Sequence, residues 1–222
     1  MLTRFQNRTE AGRALARKLM NYSDRPDVLV LALPRGGVPV AYEVAKALNA
    51  PLDIFVVRKL GVPGNEELAM GAVASGGLRV LNEGLIRNVG ISEAAIELVT
   101  ARELRELERR ERFYRGRRPA LDVRGRTVIL VDDGLATGAT MQAAVKALRL
   151  QKPAEIIVSA PVAARRTCEE FRRRGSALCV CAQTPEPFDG VGQWYRDFSQ
   201  TTDEEVIELL RRANDKQALN VA

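Results

Sequence analysis

Apolar positions along the chain fall into two alternating rhythms. Short continuous runs rich in Val, Ile and Leu occur at 28–33 (VLVLAL), 52–57 (LDIFVV), 127–131 (TVILV), 155–159 and 177–181. Runs of this kind suit strands buried on both faces. Between them, apolar residues recur at three- and four-residue spacing, as at Ala11, Ala14, Leu15 and Leu19 within 8–21, and again over 38–49, 138–150 and 163–173. Pro39 suits the first turn of the second of these helices, where its missing amide costs no bond. Alternating strands and helices predict an α/β fold, mainly a parallel sheet with helices on both faces.

Three stretches break the alternation. RKLGVPGNEELAMG (58–71) is polar, contains glycine and is too long for an ordinary connection, so it reads as a mobile loop. AVAS and LRVLN flank Gly76-Gly77 and predict a hairpin. The stretch 185–213 holds the single Trp and ends in a helix opened by Thr201, Thr202 and Asp203, with Glu204 and Glu205 in its first turn. No internal repeat or low-complexity linker interrupts the chain. The expected organisation is a core over 1–184, with the mobile loop 58–71 and an arginine-rich helix over 92–118, followed by a small C-terminal hood and helix over 185–222.

Composition removes whole classes of chemistry. The 222 residues include no histidine, which excludes Ser-His-Asp and Cys-His nucleophiles, His-ligated zinc and a histidine general base. Acid–base work falls to carboxylates, Lys or Tyr. The formal charge of +6 is concentrated in 101–126, where ten Arg meet five acidic residues. Glu106/Arg110, Glu108/Arg112 and Glu111/Arg115 stand at i,i+4, and Ala94, Leu98, Ala101, Leu104 and Leu107 give an apolar stripe. This reads as a solvated amphipathic helix rather than a nucleic-acid patch, since no interleaved aromatics accompany it. Cys168, Cys179 and Cys181 are odd in number and in no C-x-x-C arrangement, so no disulfide framework is expected. Cys179 and Cys181, two apart in an apolar run, read as buried core thiols rather than metal ligands. Residues 1–10 lack an apolar signal core and no run reaches the ~18 apolar residues of a membrane span, which predicts a soluble cytoplasmic protein without a membrane partner.

The segment VILVDDGLATGATMQAAVKAL (128–148) carries the strongest chemical signal. A strand ends in Asp132 and Asp133, then passes through a Gly/Thr loop into a helix. Gly134 and Gly138 allow tight turning, so the amides of Ala136, Thr137, Gly138, Ala139 and Thr140 can converge on an anion at the helix start, with the two threonine hydroxyls as further donors. The adjacent carboxylates can accept hydrogen bonds from vicinal hydroxyls and hold Mg²⁺ directly or through water. A phosphate cradle beside a diol clamp describes a ribose-phosphate site. Neither a Gly-Lys-Ser/Thr loop nor a G-x-G-x-x-G fingerprint is present.

This segment resembles the signature of the type I phosphoribosyltransferases, two acidic residues followed by a Gly/Ala-Thr-Gly-x-Thr loop. The resemblance implies phosphoribosyl pyrophosphate as donor, Mg²⁺ as cofactor, and transfer of phosphoribose to a nitrogen acceptor, a nucleobase in nucleotide metabolism, with pyrophosphate released. It also implies a homodimer. Asp132 and Asp133 would grip the ribose hydroxyls, and Ala136 to Thr140 the 5′-phosphate. In LPRGGVPVA (33–41) it implies a pyrophosphate loop of Pro34, Arg35, Gly36 and Gly37, with a cis peptide at Pro34-Arg35. The stretch 58–71 is similar to the family's closing catalytic loop. Its Arg58 and Lys59 would meet pyrophosphate, and Glu67, with Glu66 second, would take the acceptor's proton. In the hood, Phe188, Val191 and Trp194 would stack on the base and Arg196 would reach pyrophosphate. Ala136 stands where the 6-oxopurine enzymes carry an aspartate, which points to adenine or a non-purine acceptor. The alternative is a regulator that keeps the donor pocket as a sensor and binds nucleic acid or protein through the arginine-rich helix.

Overall fold

Every residue of strand β1 (Val28–Ala32) is buried, which requires helices on both faces of the sheet it centres. The computed structural model describes residues 3–173, 175 and 177–221, with side chains through residue 215. Five parallel strands lie in the order β2 (Leu52–Ile54), β1, β6 (Thr127–Val131), β7 (Glu155–Val162) and β8 (Leu178–Gln183). Side chains alternate across this sheet. Val28, Val30 and Ala32 join one core with helices α1 (Arg8–Lys18), α2 (Gly37–Leu48), α4 (Glu93–Arg115) and α7 (Asp203–Val221). Leu29 and Leu31 join a second core with α5 (Ala139–Leu150) and α6 (Arg165–Arg173). The α/β class and the predicted strands and helices therefore hold, except that the run 52–57 stays in this sheet only through Ile54. The short helix α3 (Glu83–Val89) precedes α4.

The stretch 58–71 is not a loop. It forms β3 (Val57–Val62) and most of β4 (Asn65–Ala74), an antiparallel pair that β5 (Leu78–Leu81) extends into a separate three-stranded sheet. Leu60, Val62 and Met70 are fully or nearly buried, and the chain reverses at Pro63-Gly64, where Gly64 takes a φ of 80°. Register shifts at Leu60, Gly61 and Val62 break the simple period-two pattern. The hairpin predicted at Gly76-Gly77 joins β4 to β5.

Helix α4 carries its three predicted i,i+4 pairs, Glu106–Arg110, Glu108–Arg112 and Glu111–Arg115. The buried face differs from the expected stripe: Leu98 is 72% exposed, and Ile96, Val99, Thr100, Glu103, Leu107 and Tyr114 turn inward. Glu103 and Arg115 can sit on this face because they are paired there. Glu103 holds Arg58, and Arg115 donates to Asp53 at 2.9 Å and to the Ile54 carbonyl at 2.7 Å. The cysteines also correct an expectation: Cys168 of α6 and Cys179 of β8 form a disulfide. Their proximity comes from α6 packing on β8, which spacing along the chain does not reveal.

Candidate active site

The site forms where β1 and β6, neighbours in the sheet, release their chains at the same end. After β6, the Asp133 amide donates to the Asp132 Oδ1 at 2.9 Å, and the Asp132 amide donates to the Ser159 carbonyl of β7 at 3.1 Å. After β1, the Leu33 amide donates to the Val131 carbonyl, and the chain turns through Pro34-Arg35, whose peptide is cis as the family resemblance implied. Glycine is required at the next two positions. A Cβ on Gly37 would stand 2.7 Å from the Val131 carbonyl oxygen and 3.1 Å from the Asp132 Cα, and one on Gly36 would overlap the Asp133 carboxylate. The basic loop and the acid pair are thus in direct contact. The Gly37 amide itself closes the turn onto the Leu33 carbonyl.

The cradle continues from the acid pair. Leu135 bridges to Ala163 beyond β7, donating to the Val162 carbonyl and accepting from the Ala164 amide, both at 2.9 Å. Gly138 caps α5 in the left-handed region at a φ of 69°, seated on Thr167 and Phe171 of α6. The Thr167 hydroxyl donates to the Ala136 carbonyl. Ala136, Thr137, Ala139 and Thr140 are exposed, which leaves the helix start open to an anion.

Three residues without a local sequence signal complete the site. Arg8 of α1 places Nε and Nη2 each 2.9 Å from Asp133 Oδ2, stacks 4.1 Å from the Phe198 ring centre and donates to the Ser199 carbonyl. Tyr195 donates its hydroxyl to the Asp133 carbonyl at 2.6 Å. Asp203, at the start of α7, accepts from the Tyr114 hydroxyl at 2.6 Å and lies 3.7 Å from Arg35. Burial, and then the charge of Asp133, holds the Asp132 carboxyl well above its usual range. Burial also raises Asp133, against the opposing pull of Arg8. Arg8 supplies one positive charge to two carboxylates, so the ionised pair carries one surplus negative charge. Hard carboxylate oxygens in that condition fit a hard divalent cation.

The remaining predicted residues are distributed unevenly. Arg58 donates to Glu103 of α4, and Lys59 lies 3.4 Å from the exposed Glu67 across the hairpin. Glu66 faces Arg102 at 3.8 Å. Phe188, Val191 and Trp194 pack in a small cluster with Phe5 and Tyr195, and Val191 covers Gly134 directly after the acid pair. Arg196 is exposed, and its amide donates to the Phe5 carbonyl.

Comparison with known proteins places the chain in a family. Residues 1–186 match the family described as phosphoribosyl transferase domain. A Mycobacterium tuberculosis chain whose name carries the words phosphoribosyl transferase is 46% identical over 211 residues, covering 95% of this chain and 47% of that one. The chain thus spans about half the length of the curated relatives it matches. The crystal structure of TT1426 from Thermus thermophilus is 41% identical, with a TM-score of 0.83 over 95% of this chain and 99% of that one. A protein from Aquifex aeolicus shares the fold at a TM-score of 0.51 and 13% identity, over 91% of this chain and 84% of that one. With its acid pair, cradle and basic loop at one sheet end, the chain belongs to the phosphoribosyl transferase domain family.

Proposed function

We propose that the chain binds phosphoribosyl pyrophosphate in this crevice and transfers its phosphoribosyl group to a nitrogen acceptor. The convergence of the acid pair, the 136–140 cradle and the Pro34–Gly37 loop at the ends of two adjacent strands carries the reading. Ala136 to Thr140 bind the 5′-phosphate and Asp132 and Asp133 orient the ribose hydroxyls. The bond from C1 of the sugar to pyrophosphate breaks, and a bond from C1 to the acceptor nitrogen forms. Arg35, kept in place by Asp203, faces the negative charge gathering on the leaving pyrophosphate. Asp132 and Asp133 would hold Mg²⁺ directly or through water, and Mg²⁺ supplies further charge neutralisation when bound.

The hairpin of β3 and β4 closes over the donor in this reading, excluding water from the cation-like sugar. Lys59 then contributes charge at pyrophosphate, and Glu67 receives the acceptor's proton. Arg58, which also anchors the hairpin on α4 through Glu103, and Arg196 stand on the pyrophosphate side, while Phe188, Val191 and Trp194 form the wall on the acceptor side. Ala136 leaves no carboxylate at the position the 6-oxopurine enzymes use, so adenine or a non-purine amine or amide is the acceptor. Among the described residues, no helix is long and apolar enough to cross a membrane. A homodimer is carried over from the family resemblance, and the hood is assigned to 185–222 on the same ground.

A panel of nucleobases and small amides, each incubated with radiolabelled donor and Mg²⁺, tests the reading. Labelled product with at least one acceptor outside the 6-oxopurines is expected. Exclusive use of hypoxanthine or guanine would overturn the acceptor assignment, and donor binding without transfer to any acceptor would overturn the transferase assignment.

A further inference from the structure

Three sulfur atoms meet where α6 crosses β8, on residues given no part in donor binding. The Cys181 Sγ lies 3.4 Å from that of Cys168 and 3.7 Å from that of Cys179, and all three fall within 4.8 Å of one another. Cys179 and Cys181 share a face of β8 because strand side chains alternate, and α6 brings Cys168 across to them. A cavity of about 230 Å³, lined in part by Cys168, Cys181, Glu169 and Arg172, opens onto the cluster.

This spacing is that of a coordination shell. A tetrahedral zinc ion with sulfur at about 2.3 Å holds its sulfurs about 3.8 Å apart. The two distances from Cys181 already approach that value. The third is covered by the Cys168–Cys179 bond, and reduction releases those two sulfurs to ordinary contact distance. Three sulfur ligands suit a soft or borderline metal, which deprotonates a coordinating thiol outright.

We propose that the reduced Cys168, Cys179 and Cys181 cluster binds one thiophilic d¹⁰ cation of the Zn²⁺ class through three thiolates, with the fourth position open to the cavity. The disulfide and the metal are mutually exclusive occupants. A thiol reductant supplies the two electrons and two protons that convert the disulfide into two thiols. Metal binding then expels the three thiol protons to solvent. Either occupant staples α6 to β8. Thr167, next to Cys168, donates to the Ala136 carbonyl, so the staple lies one residue from the support of the phosphate cradle.

The test uses the full chain, reduced with a phosphine, stripped with a chelator and desalted, then titrated with Co²⁺ and afterwards with Zn²⁺. A thiolate-to-cobalt charge-transfer band that saturates at one ion per chain and is bleached by Zn²⁺ is expected. Thiol counting on the wild-type chain gives a second readout independent of any variant. All three cysteines should react with Ellman's reagent in denaturant and be protected in the native Zn²⁺-loaded chain. Cys181→Ser should lose the band while its far-ultraviolet circular dichroism is retained. No band at equimolar Co²⁺, unprotected thiols in the Zn²⁺-loaded chain, or an undiminished band in a folded Cys181→Ser chain would each overturn the proposal.

Discussion

Arg8 closes onto Asp133 across 125 positions of sequence, with two nitrogens each 2.9 Å from the same carboxylate oxygen, Oδ2. Both side chains are largely withdrawn from water, at 11% and 15% exposure, so the pair is far from a screened surface contact. Removing the guanidinium leaves two adjacent, largely covered carboxylates without their cation. Arg8→Met should therefore lower unfolding free energy by about 3 kcal/mol, measured by urea denaturation at neutral pH. A loss below about 0.5 kcal/mol would show that Asp133 does not depend on Arg8.

Asp132 gives a pH-dependent prediction. Its carboxyl is held above the ordinary 3.8 first by burial and then by the charge of Asp133, so the native chain binds this proton more tightly than the unfolded chain does. The associated stability is fully present below about pH 4 and is lost as pH rises through the raised native value. Asp132→Asn keeps an oxygen for the Asp133 amide and cannot ionise. Its stability relative to wild type should rise as pH climbs above about 4 and through the raised native value, followed by thermal unfolding of both chains. A difference that does not change with pH would contradict the burial of an ionisable Asp132.

Gly37 and Gly190 form a contrasting pair. A methyl group on Gly37 meets the Val131 carbonyl oxygen and the Asp132 Cα, backbone atoms that cannot rotate aside, whereas one on Gly190 meets nothing within 4 Å. Gly37→Ala should cost about 1–3 kcal/mol or more, and Gly190→Ala should stay within about 0.5 kcal/mol of wild type by chemical denaturation. Equal effects would mean that the contact between the basic loop and the acid pair is looser than described.

The parts of the site legible in the sequence are those whose determinants are local. The acids, glycines and threonines of 132–140 all lie within one strand, loop and helix, and their chemistry follows from residue type and spacing. Arg8, Tyr195 and Asp203 were not legible, because the groups they meet lie 125, 62 and 89 positions away and nothing beside them signals a partner. The hairpin over 58–71 has the sequence of a loop because its exposed run Pro63 to Ala69 is mostly polar and its bulge shifts the alternation. Cys168 joined its partners only through the packing of α6, so neighbouring cysteines on one strand looked like ordinary core.

The arginine-rich helix makes a prediction about macromolecular partners. Arg109, Arg110, Arg112 and Arg115 are paired within the helix, and Arg115 is also committed to Asp53. Their charge is largely answered inside the protein, so duplex DNA or RNA should bind no more tightly than roughly 10⁻⁴–10⁻⁶ M at physiological salt. A gel-shift titration measures this. Sequence-selective binding that responds to the donor would favour a regulatory role.

Isothermal titration of the chain with phosphoribosyl pyrophosphate in the presence of Mg²⁺ tests the central claim most directly. The account predicts saturable binding at one donor per chain, weakened at least about tenfold, or about 1.4 kcal/mol, in Thr137→Ala and in Asp133→Asn, each checked for folding by circular dichroism. An absence of binding heat in the wild-type chain at two temperatures, or undiminished affinity in both folded variants, would contradict the assignment of the cradle and acid pair to the donor.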